Sequence, residues 1–143
     1  MATKTFTQLV QLQTMIQPMI QKALMSTARI MVKKLRECVD EQYYNDSGFS
    51  PNIYKRTYQL LDAAAYQMLG KTAAEIFMDT DYMHYYTGFD PDVILDWAGE
   101  SKHGADYYQT ETTDFWTTFQ QWADENVPRI LKEELIKQGL KIV

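Results

Sequence analysis

Between Met19 and about Gln42, apolar residues return every three or four positions, with polar and charged residues filling the gaps. Ile20, Leu24, Thr27, Met31, Leu35 and Cys38 fall on one face, the spacing of an amphipathic helix. Pro18 suits the first turn of this element, where its missing N–H costs little. The pattern therefore predicts a long helix over about 18–44, a rod of roughly 35 Å. Residues 6–17, with Phe6, Leu9, Val10 and Ile16, read as a short separate helix ahead of it. Asn45, Asp46, Ser47 and Gly48 form a breaker cluster that ends the rod.

Further along, the period changes. Leu60 to Leu69 can form one strand, Gly70 and Lys71 a turn, and Ala74 to Asp79 a returning strand, giving a hairpin region over about 60–83. Tyr54, Tyr58, Leu61, Ala65 and Met68 also fit a helical face, so the pattern alone leaves both forms open. Gly88, Pro91, Gly99 and Gly104 make 84–112 loop-rich, with a short helix near 91–97 and a mobile loop expected at 99–104. Thr113 can cap a helix carrying Phe115, Trp116, Phe119 and Trp122, which Asn126 and Pro128 are expected to break or kink. A last helix carries Ile130, Leu131, Leu135 and Ile136 and stops at Gly139. The C-terminal helices thus occupy about 113–139. The expected fold class is α+β, a single domain over 1–143. A long N-terminal amphipathic helix packs on a small antiparallel sheet or hairpin, with C-terminal helices completing it.

Composition narrows the function more than the fold. A net charge of −5 argues against a uniformly basic nucleic-acid binder, because phosphate contacts draw on clustered Lys and Arg. Cys38 is the only cysteine, so no intramolecular disulfide can form, which suits a reducing cytoplasm. The N-terminal Met-Ala-Thr-Lys-Thr-Phe lacks the apolar stretch of a signal peptide, and no apolar run approaches the ~20 residues of a membrane helix. A soluble protein with no membrane partner is the expectation.

Candidate chemistry is sparse. Asp79, Asp81 and His84, followed by Asp90, Asp92 and Asp96, can be read as a divalent-metal cluster, but the spacing matches no ligand signature. Asp-x-Asp at a strand end is more commonly turn chemistry, since Asp bonds nearby backbone amides. Cys38 with His84 or His103 offers a thiol–imidazole pair, yet Cys38 sits on the apolar helix face, where a cysteine behaves as a small hydrophobe. No phosphate-cradling glycine loop and no Gly-x-Ser-x-Gly elbow is present. No catalytic residue, metal site or cofactor is assigned. Trp97, Phe115, Trp116, Phe119 and Trp122 read as core, with Trp116 off the stripe of its neighbours and open to an interface role.

One feature of the long helix lies outside its core face. Lys22, Arg29, Lys33 and Arg36 fall within about 60° of one another, opposite Leu24, Met31 and Leu35. Such a stripe is commonly a solvated face. On an acidic chain it can also line a channel that DNA crosses or meet an acidic neighbouring subunit.

An aromatic corner follows the helix: Tyr43 and Tyr44, then Pro51, Tyr54, the Arg56 and Thr57 pair, Tyr58, Leu60 and Leu61. Continued through 75–81, His103, Gly104 and 115–122, this order resembles the lambda Z-like head–tail joining proteins. Those are the small neck and tail-completion proteins of long-tailed bacteriophages. Many relatives place Gly directly after Arg-Thr, where this chain has Tyr58. The resemblance favours the hairpin over the helix for the second half of 52–69. It makes Tyr43, Tyr44, Tyr54, Arg56 and Thr57 a structural corner between helix and sheet. It implies a non-enzymatic virion protein, made in the host cytoplasm and located at the head–tail junction. Its implied partners are its own copies in a ring, head-side adaptor or connector proteins, tail proteins and, in passing, DNA. A tail terminator, a minor capsid protein and a small metal-dependent enzyme on Asp79, Asp81 and His84 are the alternatives.

Overall fold

The structure, a computed structural model, describes residues 9–41, 62–79, 81, 102–103, 108–109 and 115–141. Among these, helix α1 spans Leu9–Val39 and helix α2 spans Phe115–Lys137. Strands β1 (Ala64–Met68) and β2 (Ala74–Met78) form one sheet, and β3 (Lys102–His103) and β4 (Tyr108–Gln109) another. The architecture is α+β, as the periodicity predicts.

The hairpin is the one anticipated. β1 and β2 pair antiparallel in the register Ala64↔Met78, Tyr66↔Ile76 and Met68↔Ala74. Gly70 turns the chain at φ 72°, a left-handed conformation that glycine adopts without Cβ strain. Leu69 N–H donates to the Ala73 carbonyl at 2.9 Å across the turn. At the open end, Asp79 N–H donates to the Ala63 carbonyl at 2.7 Å, carrying the ladder one pair further. Alternation puts Ala64, Ile76 and Met78 on the core face. On the other face Gln67 Nε2 donates to Glu75 Oε2 at 2.6 Å between directly opposed, exposed residues. Phe77, which spoils the alternation in the sequence, stands on that outer face opposite Ala65 and stays half-buried.

Both helices are longer than the sequence suggests, and both run through a proline. Residues 6–17 and 18–44 are not two elements: from Leu9 onward one helix includes Pro18. The expected break at Asn126 and Pro128 is likewise absent, and one helix runs from Phe115 to Lys137. An internal proline removes the hydrogen bond to the carbonyl four residues earlier. Here those residues are Thr14 and Asp124, both exposed, so water can take the freed acceptors. Side chains also bond the adjoining turns: Thr14 Oγ1 donates to the Val10 carbonyl and Asn126 Nδ2 to the Trp122 carbonyl, each at 2.8 Å. The α1 end comes at Val39, followed by a widened turn through Asp40 and Glu41.

Gly139 stops α2 as expected. At φ 98° it is the left-handed residue of a Schellman cap, with Leu140 N–H donating to the Leu135 carbonyl at 3.2 Å and Gly139 N–H to the Ile136 carbonyl at 2.9 Å. Lys137 in the last turn faces the negative end of the helix dipole.

The core gathers where the C-terminal end of α1 meets the start of α2 and the hairpin. Leu35, Cys38, Val39, Ala63, Ala64, Met78, Phe115 and Phe119 form its buried cluster, with Met31, Val32, Ile76, Trp116 and Trp122 packed around it. Since residues 35–39 of α1 meet Phe115 and Phe119, the two helices run antiparallel. The aromatic rings of α2 form a chain of contacts: Phe115 to Trp116 at 5.9 Å, Trp116 to Phe119 at 5.9 Å edge-on, Phe119 to Trp122 at 6.3 Å. Trp116 is half-buried against the cluster and not the exposed anchor its position off the stripe suggested. Trp97 lies outside the described residues.

Lys102↔Gln109 and His103↔Tyr108 pair as a two-residue ladder inside the stretch read as loop. An element this short has too few positions to leave a period in the sequence.

Candidate functional site

The outer face of α1 carries the basic stripe. Lys22, Arg29, Lys33 and Arg36 are all exposed, and a regular helix places them within about 60° of one another. The stripe exists because the opposite meridian is committed to the core: Leu35 and Cys38 are buried there, and Leu24 and Met31 half-buried.

The four cations differ in what holds them. Arg36 Nη2 lies 2.8 Å from Asp62 Oδ1, tying α1 to the residue just ahead of β1. Both partners are almost half exposed, so the pair contributes about 0.2–1 kcal/mol. Among the described residues, Lys22, Arg29 and Lys33 have no ion-pair partner. Lys34, next in sequence but on another side, points the other way. Its ammonium sits 3.6 Å from Glu37 Oε2 and 5.9 Å from the Trp122 ring centroid, over α2.

Beside the stripe runs an open groove of about 380 Å³, lined by Arg29, Val32, Lys33, Arg36, Glu37 and Asp40. Along α1 the basic residues come first, at 29, 33 and 36 with Val32 among them, and the acidic residues follow at 37 and 40. Exposed, mobile Lys and Arg side chains suit a broad anionic surface better than a small, dehydrated ligand.

The other sequence candidates resolve less into chemistry. Asp79 Oδ1 accepts the Asp81 backbone N–H at 3.1 Å, the two-residue reach of an Asx turn closing the hairpin strand. His84, Asp90, Asp92 and Asp96 lie outside the described residues, as do the corner residues Tyr43, Tyr44, Tyr54, Arg56 and Thr57. Among the described residues, no three His, Cys, Asp or Glu side chains converge as a metal site would need. Cys38 is buried among apolar side chains. Burial pushes its thiol above the ordinary value of 9.0; Lys34 pulls it down, and Glu41 and Glu37 push it further up. A protonated, covered thiol is a poor nucleophile.

Two polar side chains are buried. Glu134 on α2, with Lys137 Nζ 3.0 Å from its Oε1, has no sequence signal; Thr27, on the apolar face the spacing gave it, is buried with its hydroxyl donating to the Ala23 carbonyl at 2.8 Å. A helical Thr can bond the carbonyl four residues back and so enter an apolar face. No described helix is long and apolar enough to cross a membrane.

Comparison with known proteins adds one match. The family model described as YomN covers residues 8–141, nearly the whole chain. No curated protein and no solved structure matches. The chain therefore belongs to the YomN family, a phage-related family.

Proposed function

We propose that this protein is a structural component of a phage particle, acting in head–tail joining or tail completion as one subunit of a neck ring. The observation that carries this reading is the outward basic strip of α1 on a phage-related chain whose net charge is −5. Lys22, Arg29 and Lys33 are unengaged among the described residues and so are available to an anionic surface. A ring closes when each copy presents one surface to the next copy's different surface, a heterologous contact repeated by rotation. In that arrangement the strip meets either the acidic side of a neighbouring subunit or the phosphates of DNA crossing the junction. Head-side adaptor proteins and tail proteins bind the two ends of the ring. Electrostatic contact of this kind sets register and association rate more than raw affinity.

Electron microscopy of lysates in which the gene is disrupted tests the role. Full heads and finished tails lying unjoined are the expected picture. Normally joined particles would end the assignment, and unfinished capsids would move it to a capsid role.

A further inference from the structure

Charge is divided along the chain. Six basic residues and no acidic one lie in 1–36, whereas 37–143 hold eight basic and nineteen acidic residues. In the described residues the division is also spatial. Lys22, Arg29 and Lys33 stand exposed on α1 and have no ion-pair partner there. Where α1 ends and the hairpin opens, the sign reverses. Glu37, Asp40 and Glu41 close the helix, and Arg36 holds Asp62 beside them at 2.8 Å. Asp79 N–H bonds the carbonyl of Ala63, next to Asp62, and Asp81 follows in the turn.

Among the described residues, the cations that reach this acidic end are Lys34, 3.6 Å from Glu37, and Arg36. Asp40, Glu41, Asp79 and Asp81 have no cation partner there. The helix C-terminus adds partial negative charge of its own. At 1.5 Å per residue, Lys22 and Glu41 lie roughly 28 Å apart along the axis. Charge is screened over about 10 Å at about 0.1 M salt, so a partner feels each end separately.

We propose that the strip of Lys22, Arg29 and Lys33 on one copy binds the acidic end of α1 and the hairpin on the next copy, head to tail. This rests on the ring reading above and names the strip's partner within it. The chain is its own complement: each copy carries a basic and an acidic surface whose free charges do not pair within that copy. Local sign then outweighs the repulsion of the net −5. A contact between unlike surfaces repeats, so it builds a ring or a chain and does not stop at a pair. A DNA strand fits less well. Its phosphates carry one sign throughout, whereas the groove beside the strip passes from Arg29, Lys33 and Arg36 to Glu37 and Asp40.

Sedimentation velocity of the purified full chain, from micromolar to millimolar concentration, tests this contact. At about 0.1 M salt the wild type should form species larger than a dimer, which should dissociate toward about 1 M, where screening shortens to about 3 Å. Arg29→Glu with Lys33→Glu reverses the basic surface, and Glu41→Lys with Asp81→Lys the acidic one. Each pair should weaken self-association roughly tenfold or more. Mixed one to one, the two variants should assemble again, because each strip then meets an end of opposite sign. Lys71→Glu with Lys132→Glu makes the same change in net charge at exposed lysines elsewhere and should assemble like wild type. Circular dichroism should show the wild-type melt throughout, and Lys22→Glu with Arg29→Glu supplies a second strip variant. A monomeric wild type, variants that assemble like wild type, a mixture that stays monomeric or a control that dissociates would each overturn the proposal. So would a monomeric wild type that binds duplex DNA through the strip. Joined particles after gene disruption would end the head–tail role and leave this contact standing, so the two can fail separately.

Discussion

The two ends of α1 have opposite relations to the rest of the molecule. At residues 35–39 the helix is enclosed, with Leu35, Cys38 and Val39 at or near zero exposure between α2 and the hairpin. At residues 10–14 it is bare. Sequence alone does not separate these ends, since both carry aliphatic residues at helical spacing. What separates them is the length of α2, which ends before α1 begins. A continuous amphipathic pattern can thus be core over one stretch and display over another, and the partner's reach sets the boundary.

If the comparison is right, equivalent truncations at the two ends should differ widely. Phe115→Ala, beneath the enclosed end, should lose about 3–5 kcal/mol, and Leu35→Ala about 2–5 kcal/mol, in urea unfolding. Leu12→Ala at the bare end should stay within about 0.5 kcal/mol, measured where the chain is monomeric. Equal losses at both ends would remove the distinction.

The prolines offer a second contrast, with the opposite sign. Each sits inside a helix and leaves an acceptor to water, so Pro128→Ala should raise stability by up to about 3 kcal/mol. In α2 a global rise in melting temperature is expected, because α2 covers the core. Pro18→Ala should chiefly raise helicity at the bare end, with less effect on the melt. A destabilised Pro128→Ala protein would mean that the proline itself is needed.

Smaller effects probe the connections. Arg36→Ala should cost about 0.2–1 kcal/mol and should do so only while Asp62 is present, a coupling that a double-mutant cycle reads. Cys38 supplies a pH signature. Its folded-state pKa lies above the ordinary thiol value, so the folded chain holds the proton more tightly than the unfolded one. Its contribution to stability is full below the ordinary thiol value of 9.0 and falls as the pH rises through the folded-state pKa. Cys38→Ala should abolish that slope, whatever it does to stability at neutral pH; a slope that persists would assign it to other groups.

Much of the fold was legible in local pattern. The Gly70 turn, the register that follows from it and the Gly139 cap are each set by residues within a few positions. So is the core face of α1 from Leu24 to Cys38. Helix continuity was not legible, because a proline's cost depends on whether its orphaned carbonyl is covered, and only the packed helices show that Thr14 and Asp124 stay exposed. The Arg36 pair with Asp62 and the burial of Glu134 are tertiary facts with no spacing to betray them. The basic stripe was readable from helical angles alone. That Arg36 is paired with Asp62 while Lys22, Arg29 and Lys33 lack an ion-pair partner among the described residues needed the structure.

The most direct test of the functional account is complementation of the gene-disrupted phage with an Arg29→Glu, Lys33→Glu chain. Both positions are exposed and unpaired among the described residues, so the variant should fold, as circular dichroism can check. Full heads and finished tails left unjoined are the expected result. Normal yields of joined particles would contradict the claim that this strip works at the junction.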